Sequence, residues 1–261
     1  MTRFFLSVCA AAVLGLTGTA MAEPFKATYG LYAGGVRMID LKADFDLQPK
    51  NYTVRTDGRT IGIFEKILPW IGTFETKGTA GFKPVRHDYI VSWRGNQETS
   101  TFTYEPAGVL KNLTVTKDGE TTENPIDLEI AKGTRDLLST ITMMFDQYER
   151  TGKCEGDILT FDNARSFIVR FADLGDGVMD NAKLSSYTGP AHACSVEIIP
   201  QAGKWPKKPR GWLRIQQQAK EGGKLPVLWM AKSDATHPAI PVRVDIHTKY
   251  GDVIAHLSSV N

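Results

Sequence analysis

Ile39-Asp-Leu-Lys-Ala-Asp-Phe-Asp-Leu47 is the stretch that decides the fold. Apolar Ile39, Leu41, Ala43, Phe45 and Leu47 alternate with Asp40, Lys42, Asp44 and Asp46, the period of a strand with one dry face and one wet face. Val85, His87, Tyr89, Val91 and Trp93 repeat the pattern against Arg86, Asp88, Ser92 and Arg94, with Ile90 out of phase. Gly34-Gly35, Gly95-Asn96 and Asp118-Gly119 fall between such runs, and these dipeptides accept the positive φ of tight hairpin turns. Strands joined this way form an antiparallel meander.

Further along, one segment changes period. After Thr134, which is placed to cap a helix, Leu137, Leu138, Ile141, Met144, Phe145 and Tyr148 recur at spacings of three and four, and Gly152 closes the run. Strand patterns then return at Ile158 to Phe161, Phe167 to Phe171, Val196 to Ile198, Trp212 to Gln218, Leu225 to Ala231, Val242 to Ile246 and Val253 to Leu257. About thirteen strands in one sheet must curl to bury a face, so the expectation is mainly β. The sequence predicts a highly curved, incompletely closed antiparallel barrel wrapped around one amphipathic helix, as a single domain over residues 23–261.

The chain starts with Arg3, an apolar run from Phe4 to Leu16, and small residues ending Ala20-Met21-Ala22, the layout of a cleaved export signal over residues 1–22. Its apolar core is too short to span a bilayer, and no later stretch is long enough either. Of 31 basic and 29 acidic residues one base, Arg3, lies in this leader, so the remainder is nearly neutral and has no global field for nucleic acid. With 42% apolar residues there is material for one large core, which excludes disorder. Of three cysteines, Cys9 belongs to the leader. Cys154 and Cys194 remain, with neither a C-x-x-C motif nor a third ligand at metal spacing, so an exported protein would join them in a disulfide that stabilises by roughly 4 kcal/mol.

Thr60 to Gly72 is apolar, follows neither period, and contains Pro69. Two readings stand: a lid whose Ile63, Phe64, Ile67, Leu68 and Trp70 touch an apolar ligand, or a connection that completes the core. The helix has the same two readings, with Leu137, Ile141, Met144 and Phe145 walling a cavity or filling the core, and Met143 and Met144 suit either. Lys204 to Trp212 mixes bases and aromatics and reads as a solvated hairpin loop or a lipid or partner contact. His87, His192, His237, His247 and His256 are scattered, with His247 placed in solvent beside Asp245. No H-E-x-x-H, G-x-S-x-G or phosphate-cradling loop is present, so no catalytic residue, metal ligand or cofactor is assigned. A triad assembled from distant strands would need geometry that sequence does not show. Asn51-Tyr-Thr and Asn112-Leu-Thr match a glycosylation pattern that matters only where a secretory pathway reads it.

Several short motifs taken together resemble the domain-of-unknown-function 3108 family of exported Gram-negative proteins. They are Phe25-Lys-Ala-Thr-Tyr-Gly-Leu-Tyr-Ala-Gly-Gly, Gly78-Thr-Ala-Gly-Phe-Lys-Pro, Tyr104 before Gly108-Val109, Asp136-Leu-Leu, Phe161-Asp-Asn-Ala-Arg165, Tyr187 to Cys194, and Ile240-Pro-Val-Arg-Val with Tyr250 to Ala255. The resemblance implies a periplasmic location, no assigned activity, and the cysteine positions matched by Cys154 and Cys194. A curled sheet clasping a helix is also similar in shape to periplasmic lipoprotein carriers, and shape alone does not confer function. The expectation is a non-enzymatic periplasmic carrier of a lipid or lipoprotein acyl chain. The alternative is a scaffolding protein with a packed interior that acts through an envelope protein partner.

Overall fold

The computed structural model describes residues 23–180, 183–208, 212–248 and 251–261; the expected export signal and Cys9 lie outside them. The first half is a run of hairpins: Phe25–Ala33 (β1), Val36–Leu47 (β2), Asn51–Thr60 (β3), Trp70–Thr79 (β4), Lys83–Trp93 (β5), Asn96–Tyr104 (β6), Leu110–Lys117 (β7) and Glu120–Glu123 (β8). A short helix, Ile63–Ile67 (α1), joins β3 to β4. The 3-10 turn Leu128–Ala131 and the long helix Leu137–Thr151 (α2) lead to the second half. There Gly156–Asp162 (β9), Arg165–Met179 (β10), Gly189–Gly203 (β11), Val227–Ala231 (β12), Ile240–Thr248 (β13) and Gly251–Val260 (β14) form a second meander, with helix Trp212–Glu221 (α3) between β11 and β12.

All fourteen strands belong to one antiparallel sheet, in the order β8-β7-β6-β5-β4-β3-β2-β1-β14-β13-β12-β11-β10-β9. Within each half sequence neighbours pair, and the two meanders meet where β1 pairs with β14. The sheet is not closed by a ladder between β8 and β9. Side chains and one linking segment bring its ends together instead. Phe102 on β6 meets Phe161 on β9 with ring centroids 6.0 Å apart, in a small core that also holds Tyr104, Leu110, Leu113 and Ala131. Arg135 bonds the β9 edge through its own peptide groups, its N–H donating to Leu159 O (3.0 Å) and its carbonyl accepting from Phe161 N (2.8 Å). In the first half the Arg135 guanidinium donates to Phe82 O, in the β4–β5 turn, at 3.1 Å.

The alternation from Ile39 to Leu47 is realised, with Ala43 and Phe45 buried. Several local expectations change. The sheet has fourteen strands where about thirteen were expected, and one of them, β8, Glu-Thr-Thr-Glu, is exposed throughout and carries no apolar signature. Trp212 to Gln218 is helix and not strand. Gln216 and Ala219 are its buried positions, three apart as on a helix face, and the run of Gln, Lys, Leu and Arg favours helix. Gln216 then satisfies its amide on β11, accepting from Ile198 N (2.6 Å) and donating to Ile198 O (2.9 Å). Lys204 to Lys208 therefore leads from β11 into α3 and is not a hairpin loop. The β5–β6 turn is Arg94-Gly95, with φ of 52° and 84°, while Asn96 pairs with Trp93. Val85 falls on the exposed side because β4 and β5 shift register beside Gly78.

Helix α2 is tied to both halves of the sheet. Its N-cap is Asp136, not Thr134, and Gly152 ends it in the left-handed conformation. Tyr52 on β3 bonds Ser139 (2.6 Å) and Thr76 on β4 bonds Asp136 (2.7 Å). From the second half, Thr160 bonds Thr140 (2.8 Å) and Ala239 N donates to Glu149 (3.0 Å). The Cys154–Cys194 disulfide then pins the segment after α2 to β11, with both cysteines fully buried.

Tyr52 reaches Ser139 across Gly78, where an added Cβ would lie 2.3 Å from the Tyr52 ring and 2.4 Å from Lys83 O. The carbonyl is backbone and cannot swing aside. Gly78→Ala should lower the urea unfolding free energy by about 2–4 kcal/mol, and an unchanged midpoint would contradict this packing.

Candidate functional site

Two clefts lie at opposite strand ends of the sheet. The first, about 590 Å³, sits where β1 starts, β2 ends and β4 turns into β5. Phe25, Phe45, Leu47, Tyr52 and Phe82 form its sheet wall, Met143 and Phe145 its helix wall, and Pro238 to Ile240 another side. Strand alternation explains the sheet wall. Phe45 and Leu47 share the apolar face of β2, Phe25 pairs with Phe45 across β1 and β2, and their rings stack at 4.8 Å. Phe145 projects from α2 onto that stack, 6.3 Å from Phe45. Asp146, Glu149 and Arg150, the polar positions of α2, ring the opening. An apolar floor with a charged rim, in the size range of a small-molecule pocket, can take up a hydrocarbon chain and leave a polar head in water.

The second cleft, about 740 Å³, opens at the other strand ends, between Phe74, Tyr89, Val91 and Trp93 and the β9–β10 turn at Asp162 to Arg165. It is more polar. Asn163 donates to Tyr89 Oη (2.5 Å) and Glu98 (3.1 Å), fastening the β9–β10 turn to β5 and β6. Burial raises the Asp162 carboxyl above its usual range even though Arg165 pairs with it.

The residues singled out in the sequence divide between these regions. Phe145 lines the first cleft, and Met143 joins it. Met144 points into the core and is fully buried, Ile141 is half-buried against it, and Leu137 is exposed. Ile63 and Ile67 are exposed and Phe64, Leu68 and Trp70 partly so; none of the five lines either cleft. Trp70 instead lies over the backbone of Gly58 and Gly72, both of which leave no room for a Cβ beneath its ring. Phe25, Tyr52 and Phe82 are cleft residues that the sequence reading did not single out. Phe25 and Phe82 fall within the short motifs quoted above, Tyr52 does not, and nothing in a strand pattern says which buried aromatics face a cleft.

A Ser, Asp and His do come together beneath α2. Asp136 Oδ1 accepts from Ser139 N (3.0 Å) and from Thr76 Oγ1 (2.7 Å), and Asp136 Oδ2 accepts from the Ser139 hydroxyl. His87 Nδ1 lies 2.7 Å from Thr76 Oγ1, whose own proton goes to Asp136, so Nδ1–H is the donor there. In a nucleophilic triad histidine stands between serine and acid. Here the acid stands in the middle, the Ser139 hydroxyl points at it, and every member is buried. The arrangement clasps the helix start to the sheet. Three of the other histidines have separate carboxylate partners, His237 with Asp234 (2.7 Å), His247 with Asp252 (2.8 Å), and His192 between Asp176 (2.7 Å) and Asp173 (2.8 Å), while His256 packs edge-on against Tyr32 at 5.7 Å. Asp245, expected beside His247, is taken up by Trp229 (2.8 Å) and Arg243 (2.6 Å). Among the described residues Cys154 Sγ, Asp173 and His192 lie close enough to surround an ion, but that sulfur is engaged in the disulfide.

These environments set opposite pH responses. Burial penalises the His87 cation more than Asp136 and Asp88 favour it, so its pKa falls below 6.5. The unfolded chain then takes up a proton below pH 6.5 that the folded chain refuses. Stability from His87 is full above that pH and is lost as pH drops toward the folded value. For His192, burial opposes the charge but Asp176 and Asp173 together outweigh it and raise the pKa. Its contribution is full below pH 6.5 and is lost as pH rises through the folded value. His87→Gln should therefore flatten the decline of unfolding free energy between about pH 6.5 and pH 5, as followed by urea titration; an undiminished slope would refute the buried neutral imidazole.

The fold and cleft define a curled antiparallel sheet with an apolar pocket beside a clamped helix. The pattern of the DUF3108 family, proteins of unknown function, matches residues 25–258, and the chain belongs to that family. No curated protein matches it in sequence. Among solved structures, the chain is similar to a β-barrel-like protein of domain of unknown function DUF1849 from Brucella abortus, at 10% identity and a TM-score of 0.45, over 92% of this chain and 98% of that one.

Proposed function

We propose that this protein is a non-enzymatic periplasmic carrier that binds an apolar ligand, a lipid or a lipoprotein acyl chain. The observation that supports this most is the cleft beside α2. Fixed aromatic and thioether side chains converge on a space of about 590 Å³, and the adjacent charges stay on its rim. The open cleft leaves apolar lining facing water, and a hydrocarbon chain laid in it would cover that surface. The leader-like residues 1–22 and the disulfide between Cys154 and Cys194 agree with an oxidising, exported setting. In this reading the barrel wraps α2, and α2 presents Met143 and Phe145 to the ligand while Met144 anchors the helix from behind.

Titration of the protein with a fluorescent fatty-acyl probe tests the reading. Met143 is only partly buried and lines the cleft, so Met143→Glu should fold normally and weaken the probe by at least about tenfold. No binding by the unaltered protein, together with a ligand-free mass when it is isolated from its native envelope and examined by native mass spectrometry, would overturn the proposal.

A further inference from the structure

Large exposed apolar residues gather at one end of the sheet. Val36, Ile63, Ile67, Ile71, Ile90 and Trp93 are each between 45% and 61% exposed. Val36 opens β2, α1 caps the β3–β4 connection, Ile71 lies at the start of β4, and Trp93 ends β5. Hydrogen bonds stitch the connection to both neighbours, Ile61 N to Met38 O (3.0 Å) and Arg94 N to Pro69 O (3.0 Å). Ile71 faces Ser92 and Ile90 faces Thr73, which makes the two isoleucines diagonal neighbours on the outer surface.

The shape and charge of this end are specific. Helix α1 buries none of its residues, so it projects from the strand ends and forms no groove. Arg59, Lys66 and Arg94 are exposed and have no ion pair among the described residues. On the same connection Glu65 is the lone acid. Arg94 stands over the Trp93 ring at 5.9 Å, and a protruding apolar turn ringed by cations without acidic partners fits a deformable anionic plane better than a rigid socket. The geometry points to docking of this end on an anionic phospholipid bilayer. Ile63, Ile67 and Trp93 enter the boundary between headgroups and acyl chains, and Arg59, Lys66 and Arg94 meet the lipid phosphates. Because α1 lies at the opposite strand ends from the α2 cleft, the docked protein turns that cleft toward water. The proposal goes beyond the carrier reading and does not depend on it.

Flotation with vesicles of phosphatidylethanolamine and phosphatidylglycerol, compared with vesicles of phosphatidylcholine alone, tests it on the protein spanning residues 23–261. The expected result is binding to the anionic vesicles that weakens with added salt. Ile63→Asp with Ile67→Asp should reduce it at least about tenfold, and Lys66→Glu with Arg94→Glu should do likewise. Leu174→Asp with Val178→Asp, at exposed positions on β10, should leave it unchanged. Far-ultraviolet circular dichroism checks folding, and fatty-acyl probe binding by the same variants, expected unchanged, separates this surface from the cleft. Equal binding by the isoleucine variant, or no binding by the unaltered protein, overturns the proposal. Self-association that is lost in the isoleucine variant while vesicles stay unbound assigns the surface to a second copy and also overturns it.

Discussion

Everything distinctive about this structure follows from holding one helix to both halves of a sheet that does not close on itself. A sheet of fourteen strands whose end strands β8 and β9 do not pair with each other has no ladder to fix how its ends lie. Here α2 is attached to the rest of the fold at both of its ends. At its start, Asp136 gathers Thr76 and the helix backbone beneath a lid of Tyr52 and Ser139. At its end, Glu149 holds the Ala239 backbone, and the Cys154–Cys194 bridge fastens the following segment to β11. A buried carboxyl of this kind is a poor source of net stability compared with apolar packing, but removing one of its partners leaves polar atoms stranded out of water. It therefore specifies position more than it adds strength, and position is what sets the cleft.

The closure at the other margin is made of single interactions. Arg135 bonds the β9 edge with its peptide groups and reaches Phe82 in the β4–β5 turn with its side chain, so one residue links the last-paired strand of the second half to the first half. Phe102 against Phe161 and Asn163 against Tyr89 and Glu98 complete the seam. The exposed β8 is a short, charged edge of the kind that resists pairing with other chains. Clefts remain at both strand ends. One opening is lined by aromatics and methionine, and the other mixes Trp93 and Tyr89 with carboxyls and amides.

Much of this was legible in the sequence where period and chemistry coincide. Ile39 to Leu47 announces a half-buried strand, and Gly34-Gly35 and Asp118-Gly119 announce its hairpins. The stripe from Leu137 to Tyr148 announces the helix, and Cys154 and Cys194, with neither a C-x-x-C motif nor metal spacing, announce their bridge. What was not legible depended on contacts between distant residues. Asp136 becomes the cap in place of Thr134 because Thr76 and Ser139 arrive to satisfy it. Trp212 to Gln218 alternates like a strand, yet the backbone of Ile198 gives Gln216 a partner that only a helix can present. The apolar run from Ile63 to Trp70 carried no mark of which end of the sheet it would occupy, and the pairing of β3 and β4 decides that.

The central claim is that the space between α2 and the first two strands is a hydrocarbon site. Methyl resonances of 13C-labelled methionine, recorded with a fatty acid bearing a nitroxide on its chain, test this most directly. Met143 lines the cleft, whereas Met230 is buried in the second half of the core and Met38 lies near the α1 end. The account predicts selective, saturable broadening of Met143 with Met230 and Met38 little affected. Broadening centred on Met38, or none at any methionine at saturating probe, would contradict it.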